Sequence, residues 1–145
     1  MLRSMIVLDI NVLSELMRPE PSAAVEHWLA EQPAVSLFIS AITEAELRYG
    51  LALLPHGKRR AKLLVEAEAM LVEDFAGRIL PFDSPAASAY AQIASERRMA
   101  GRPIAQADAQ IAAVSRSRGA ALATRNVPDF ENCGITLVNP WLVCQ

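Results

Sequence analysis

The chain has 145 residues, 52% of them hydrophobic, and a mean hydropathy of +0.21. That excludes intrinsic disorder and suffices for a single domain over residues 1–145 with a sizeable core. Fourteen basic against sixteen acidic side chains give a formal charge of −2, which argues against a partner gripped by overall positive charge, such as bulk DNA.

No run approaches the about 18 consecutive apolar residues of a membrane span. The N-terminal stretch Met-Leu-Arg-Ser-Met has no secretory h-region. Cys133 and Cys144 match neither a zinc spacing nor a disulfide framework. A cytoplasmic protein with structural thiols and no membrane contact is expected.

In chain order, the apolar run Met5-Ile-Val-Leu8 is short and β-branched and ends on Asp9, which predicts a buried parallel strand. A short helix follows from about Asn11 to Met17, stopped by Pro19 and Pro21. Ser22 is expected to cap a second helix with Val25, Trp28 and Leu29 on one face. Val35 to Ile39 reads as a strand, and Ala41 to Leu54 as a helix. Beyond His56-Gly57, Lys58 to Phe75 is a long helix with Leu64, Ala67, Leu71 and Phe75 at helical spacing. Gly77 ends it, and Arg78 to Phe82 is a strand. Ser84-Pro85 offers a cap and a first-turn proline for a helix reaching Met99. Another helix runs from about Ile104 to Arg118 and closes at Gly119. Ala121–Ala123 and Ile135–Val138 are the last strands. This alternation implies a three-layer α/β/α domain with a mostly parallel five-stranded sheet. Ligands of such sheets sit outside the carboxyl ends of the strands.

Acidic residues collect at that rim. Asp9 ends the first strand, although a helix cap is an equal reading. At about 100° per residue, Glu46 projects with Ile42, Tyr49 and Leu53, whereas Glu44 points away toward Arg48. An inward Glu46 needs a partner, either a cation or an internal arginine; Gly50, one turn on, leaves room beside it. Asp108 shares a helix face with Ile104, Ala105, Ile111, Ala112 and Ser115, and complementing the helix dipole is the alternative role. Asn126 and Asp129 lie on the loop after the fourth strand, in what could be a simple Asx-rich turn.

Three converging carboxylates without a histidine or cysteine select a hard cation, Mg²⁺ or Mn²⁺. His27 and His56 fall on a helix surface and in a turn, away from the cluster. With no phosphate-binding glycine loop and no nucleophile elbow, metal-assisted attack of water on a phosphodiester is the chemistry best supported. Lys58, Arg59, Arg60 and Lys62 open a helix whose acidic residues come later. That order opposes the helix dipole and reads either as a solvated face with pairs such as Lys62–Glu66 or, with Arg97, Arg98 and Arg102, as a rim for RNA phosphates.

The segments Ile6-Val-Leu-Asp9-Ile-Asn-Val-Leu-Ser-Glu15, Ser40-Ala-Ile-Thr-Glu-Ala-Glu46-Leu-Arg-Tyr-Gly50, Gly77-Arg-Ile-Leu-Pro-Phe-Asp83, Gly101 to Ala112 around Asp108, Ala123-Thr-Arg-Asn126 and Asn139-Pro-Trp141 run in order along almost the whole chain. In this set the sequence resembles the PIN-domain ribonucleases, and among them the VapC-type toxins of toxin–antitoxin pairs, in the FitB-like branch. The resemblance implies a PIN-like fold and a Mg²⁺-dependent endoribonuclease acting on RNA as a homodimer. Its cognate antitoxin, of the VapB or FitA kind, would thread a segment along the groove, and DNA would be met only through that antitoxin.

The resemblance carries the metal-binding role to Asp9, Glu46 and Asp108. The fourth acidic position falls on Asn126 or on Asp129. Asn126 brings no charge, which points to one metal before substrate arrives. Ile10 stands where the family has a hydroxyl, and Thr43, Thr124 or Asn11 are candidates to replace it. Lys58, Arg59, Arg60, Arg97, Arg98, Arg102 and Arg125 are the candidate RNA contacts. Family chains commonly start at the position of Met5, so residues 1–4 read as an upstream-start extension. Two other classes remain. One is a catalytically weakened PIN-like module that binds an antitoxin to repress their operon. The other is a haloacid dehalogenase-type phosphatase, ranked last because Asn11 stands where a second aspartate is needed.

Overall fold

The computed structural model describes residues 4–143; the proposed extension, apart from Ser4, and Cys144 lie outside the described residues. In order, the elements are β1 (Ile6–Leu8), α1 (Ile10–Leu16), α2 (Ala23–Ala30), β2 (Leu37–Ser40), α3 (Ala41–Ala52), α4 (Lys58–Ala69), β3 (Ile79–Leu80), α5 (Ser84–Met99), α6 (Gln106–Ser117), β4 (Ala121–Ala123) and β5 (Leu137–Val138). Single 3₁₀ turns cover Ala34–Ser36 and Val127–Phe130, and a π turn covers Met70–Asp74.

The five strands form one sheet in the order β3-β2-β1-β4-β5, and every neighbouring pair is parallel. The chain thus winds outward from β1 through β2 to β3, then crosses back to lay β4 on the other side of β1. The point where the winding reverses lies between β1 and β4, where an open α/β sheet leaves a crevice at its carboxyl edge.

Alternation along the strands feeds two cores. Leu8, Ile39 and Ala123 pack with Val12, Leu13, Val25, Trp28, Leu47 and Leu71 of the first four helices and the following turn. Val7, Leu80 and Leu122 face the other way, onto Ala86 and Ile93 of α5 and Ile111 to Val114 of α6. Because successive side chains of a strand point to opposite faces, the pair Val7-Leu8 builds both layers. No helix among the described residues is long and apolar enough to cross a membrane.

Several expected details shift. The cap of α5 is Asp83, whose carboxylate accepts the Ala86 N–H at 3.1 Å; Ser84 and Pro85 are the first helical residues. Ser22 makes no side-chain cap to α2, because its own N–H is held by Glu15 Oε2 at 2.7 Å. Beyond α4 the helix widens, and the Phe75 N–H reaches the Met70 carbonyl at 3.0 Å. Phe75 is buried with Leu71, as the helical spacing implies. Leu64 turns outward, and Leu63 packs against the core in its stead. The second strand starts at Leu37 because Val35 belongs to the 3₁₀ turn, and the third and fifth strands shrink to Ile79–Leu80 and Leu137–Val138.

Candidate functional site

Asp9 follows β1 at the winding reversal. Its backbone N–H donates to the Ala123 carbonyl of β4 at 2.9 Å, and its extended conformation makes it the N-cap of α1. The side chain, 4% exposed, uses both oxygens. Oδ1 accepts the Ile10 N–H at 2.9 Å, and Oδ2 accepts the Thr124 hydroxyl at 2.8 Å and Asn11 Nδ2 at 3.2 Å. The cap and site readings therefore hold for the same carboxylate.

Thr124, fully buried just past β4, is the hub of this arrangement. Its hydroxyl donates to Asp9 and accepts the Asn126 N–H at 3.1 Å and Asn11 Nδ2 at 3.4 Å. Thr124 and Asn11 thus supply polar groups beside Asp9 that Ile10 cannot. Thr43 is occupied elsewhere: it is buried in the cap of α3, its N–H held by Ser40 Oγ at 3.0 Å.

Burial is the main force raising the Asp9 carboxyl above its ordinary range; hydrogen bonds from Thr124, Ile10 and Asn11 oppose it, and the Asp129 charge adds to it. Glu46 is raised by burial, then by repulsion from Asp9 and Asp108. Asp108 is raised by burial and by Asp9 and Asp129, with Arg97 pulling the other way. Asp9 is thus raised by Asp129, Glu46 by Asp9 and Asp108, and Asp108 by Asp9 and Asp129, which puts these carboxylates within electrostatic reach of one another at the same edge of the sheet. Glu46 arrives there by a different face than its spacing implied. Tyr49 and Leu53 are 68% and 66% exposed, and the buried stripe of α3 is Thr43, Leu47 and Leu51. Glu46 stands at the border of that stripe, its Oε1 buried without a hydrogen-bond partner. A Cβ at Gly50 would meet nothing within 4 Å, so room beside Glu46 does not depend on the glycine. Glu44 pairs with Arg48 at 2.9 Å as expected, and Arg48 reaches on to Glu68 of α4 at 2.9 Å.

As the side chains lie, no three acidic, histidine or cysteine groups among the described residues are close enough together to hold a bare ion. A small hard cation keeps several waters and needs only one or two carboxylates. The donor set is all-oxygen, the carboxylates repel one another, and Glu46 Oε1 lacks a partner; these residues fit a hydrated divalent ion. Asn126 is exposed and brings no charge, whereas Asp129, three residues on, acts on both Asp9 and Asp108.

The basic candidates divide. Lys58 and Arg59 are exposed at the start of α4, and Arg60 is half-buried with Nε unpartnered. Arg59 and Lys62 line the groove of about 1180 Å³ that also contains Glu46. Lys62 lies 3.9 Å from Glu66, with both side chains solvated. Arg98 and Arg102 are exposed, Arg102 pairing with Glu131 at 3.3 Å.

Arg97 does not belong on a rim. It is 6% exposed, and its guanidinium donates to the carbonyls of Arg102 (2.7 Å), Asp129 (3.2 Å) and Glu131 (2.9 Å). An arginine committed in this way braces chain and cannot meet RNA. Arg125 is exposed over the ring of Trp141, its guanidinium carbon 4.9 Å from the centroid. Trp141 carries no role in the sequence reading, although the Asn139-Pro-Trp segment was its visible sign. His27 and His56 are exposed and outside the site. Cys133 is buried beside Arg97, and burial pushes its thiol upward, which suits an inert core residue.

The acidic residues stand at the carboxyl edge of a parallel doubly wound sheet, where such sheets bind their ligands. The family model for the PIN domain matches residues 6–132. The chain is 44% identical over 137 residues to the VapC ribonuclease Y4jK of Sinorhizobium fredii, covering 94% of this chain and 98% of that protein. It is equally 44% identical to Toxin FitB of Neisseria gonorrhoeae, over 94% and 99% of the two chains. The solved structure of FitAB bound to the IR36 DNA fragment superposes with a TM-score of 0.91 at 42% identity, covering 97% of this chain and 99% of that one. The chain belongs to the PIN domain family, in its VapC-type branch.

Proposed function

We propose that the protein is a Mg²⁺-dependent endoribonuclease, the toxin of a type II toxin–antitoxin pair, with Mn²⁺ able to replace Mg²⁺. The observation that carries this reading is the convergence of Asp9, Glu46 and Asp108, each pushed up by burial and by at least one other carboxylate, where the winding of the sheet reverses. Asp9 and Asp108, with Glu46, would hold the ion, and Asp129 rather than Asn126 is the fourth acid.

A bound divalent ion supplies a Lewis acid for the scissile phosphate and acidifies the attacking water. Thr124 and Asn11 fix the Asp9 carboxylate through Oδ2, so that Oδ2 cannot rotate away from the crevice. Glu46 Oε1, buried without a hydrogen-bond partner, supports a role in which Glu46 would help hold the ion or orient the attacking water. Without the ion the acidic site weakens RNA binding but does not abolish it, which couples substrate affinity to metal binding. An antitoxin as partner, and DNA met only through it, are supported by the relative solved as FitAB bound to DNA. A homodimer is part of the same reading.

The test is cleavage of single-stranded RNA, and growth arrest on expression, by the wild type against Asp9→Asn and Asp108→Asn. The expected loss is about a hundred-fold or more in cleavage for each variant. A wild type that neither cleaves with Mg²⁺ or Mn²⁺ nor arrests growth would replace this reading with a PIN-like module that only binds its antitoxin, as the missing charge at Asn126 would then suggest.

A further inference from the structure

We infer that Arg125 and Trp141 form a stacking subsite for an unpaired RNA base at the edge of the acidic site. The inference rests on the nuclease reading above and adds where the nucleotide beside the scissile phosphate is held. The geometry starts from the Trp141 ring. One side of it packs against the core of the first four helices, and the Arg125 guanidinium lies over the ring, 4.9 Å from its centroid. A planar cation held this way keeps one face free. Single-stranded RNA is recognised by stacking its splayed bases on aromatic rings or arginine planes, with the charge available to a phosphate.

Two further observations separate this pair from an ordinary surface contact. Arg125 has no acidic partner among the described residues, a trait it shares with Arg59, Arg60, Arg98 and Arg116, and of these it is the one that lies over an aromatic ring beside the acidic site. The pair is also braced before any ligand arrives. The Arg125 N–H donates to Asn11 Oδ1 at 3.0 Å, and its carbonyl accepts Asn139 Nδ2 at 3.4 Å. Asn139 Oδ1 in turn accepts the Trp141 N–H at 3.0 Å. Asn11 donates to Asp9 at 3.2 Å, so one side chain sets the distance between the platform and the acidic centre. These bonds hold the backbone on which both side chains stand, and the Arg125 side chain itself is held by its contact with the ring. Because every base has a π face, the subsite takes any unpaired nucleotide and sets position rather than sequence.

The experiment titrates the full chain, in EDTA to prevent cleavage, with an oligouridylate of about ten nucleotides and with its abasic ribose-phosphate counterpart. Tryptophan emission is followed, and Trp141→Leu serves as the blank for the core residue Trp28. The expected result is quenching by the uridylate but not by the abasic strand, with the uridylate bound about ten-fold more tightly. Arg125→Ala and Arg125→Lys should both abolish that base-dependent difference. Arg125→Lys should keep most of the affinity for the abasic strand. Equal affinities in the wild type, or a Lys variant that still discriminates, would overturn the inference, since a phosphate contact would then suffice. Emission unmoved by RNA but quenched by the cognate antitoxin would also overturn it, assigning the pair to a protein contact. Base-dependent quenching without cleavage in Mg²⁺ or Mn²⁺ would overturn the nuclease reading alone. Cleavage without base-dependent binding would overturn the subsite alone.

Discussion

Asp9 and Glu15 are both buried carboxylates in the first 20 residues, and what they touch separates them. Glu15 accepts from Arg18 at 3.3 Å and from the Ser22 N–H at 2.7 Å, so it is a joint between α1 and α2. Asp9 accepts only neutral donors, while Asp129 raises its pKa and Asp9 itself raises those of Glu46 and Asp108. The cluster costs stability, and pH dependence reveals the cost. The folded pKa values of Asp9, Glu46 and Asp108 lie above their ordinary 3.8, 4.5 and 3.8. The folded state therefore binds more protons than the unfolded state between the ordinary and raised values. The resulting stabilisation is complete below the ordinary values and is lost as pH rises through the raised ones. Metal-free protein should accordingly melt higher at pH 5 than at pH 7. Asp9→Asn should flatten that slope and, at pH 7 in EDTA, raise the melting temperature by about 2–4 °C. Mg²⁺ should stabilise the wild type and leave the variant nearly unmoved. Thermal melts at the two pH values, with and without metal, check all three outcomes.

The elements hold these residues in register, and α5 does so through Arg97. Its guanidinium ties α5 to the turn before α6, the helix that carries Asp108, and to the 3₁₀ turn that carries Asp129, so both share one brace. Replacing it with methionine removes three hydrogen bonds to backbone carbonyls, each worth about 0.5–1.5 kcal/mol. Arg97→Met should lose about 2–3 kcal/mol in urea unfolding and weaken Mg²⁺ binding measured by calorimetry, with Arg97→Lys in between. Sequence could not reveal this, because Arg97 and Arg98 are adjacent and differ only in the side of α5 they occupy, and the acceptors are backbone carbonyls more than 30 residues away. For the same reason helical spacing groups Glu46 with Tyr49 and Leu53, which the structure leaves exposed. An ideal helical projection gives directions around α3, and the packing of α4 and β2 decides which directions are interior. The order and kind of the elements, by contrast, were plain from apolar periodicity, prolines and glycines. Caps were less so: Asp83 and Ser84 are adjacent candidates, and only the path of the chain selects Asp83.

Across the whole molecule, a formal charge of −2 conceals an uneven distribution. Acidic residues gather at the winding reversal, and exposed Lys58 and Arg59 open α4 beside the groove that Glu46 shares. RNA affinity should then come from few phosphate contacts. Replacing Lys58, Arg59 and Arg60 together with alanine should weaken binding and reduce the salt slope of log K by about 2, the value for three phosphate contacts on a single strand. A filter-binding series across salt concentrations checks this; an unchanged slope would leave these residues as a solvated face.

The bond from the Thr124 hydroxyl to Asp9 joins residues 115 apart in sequence, and the β1–β4 pairing on which it depends is the last inner ladder that the chain can make. An emerging polypeptide can form β1, β2 and β3 with their helices and still have no assembled centre. Asp9 then has a vacant flank where β4 belongs, and Asp129 has not yet been synthesised. The winding that opens the crevice thus also sets its timing: during translation the acidic centre is complete only when β4 and the turn bearing Asp129 have followed the rest of the chain.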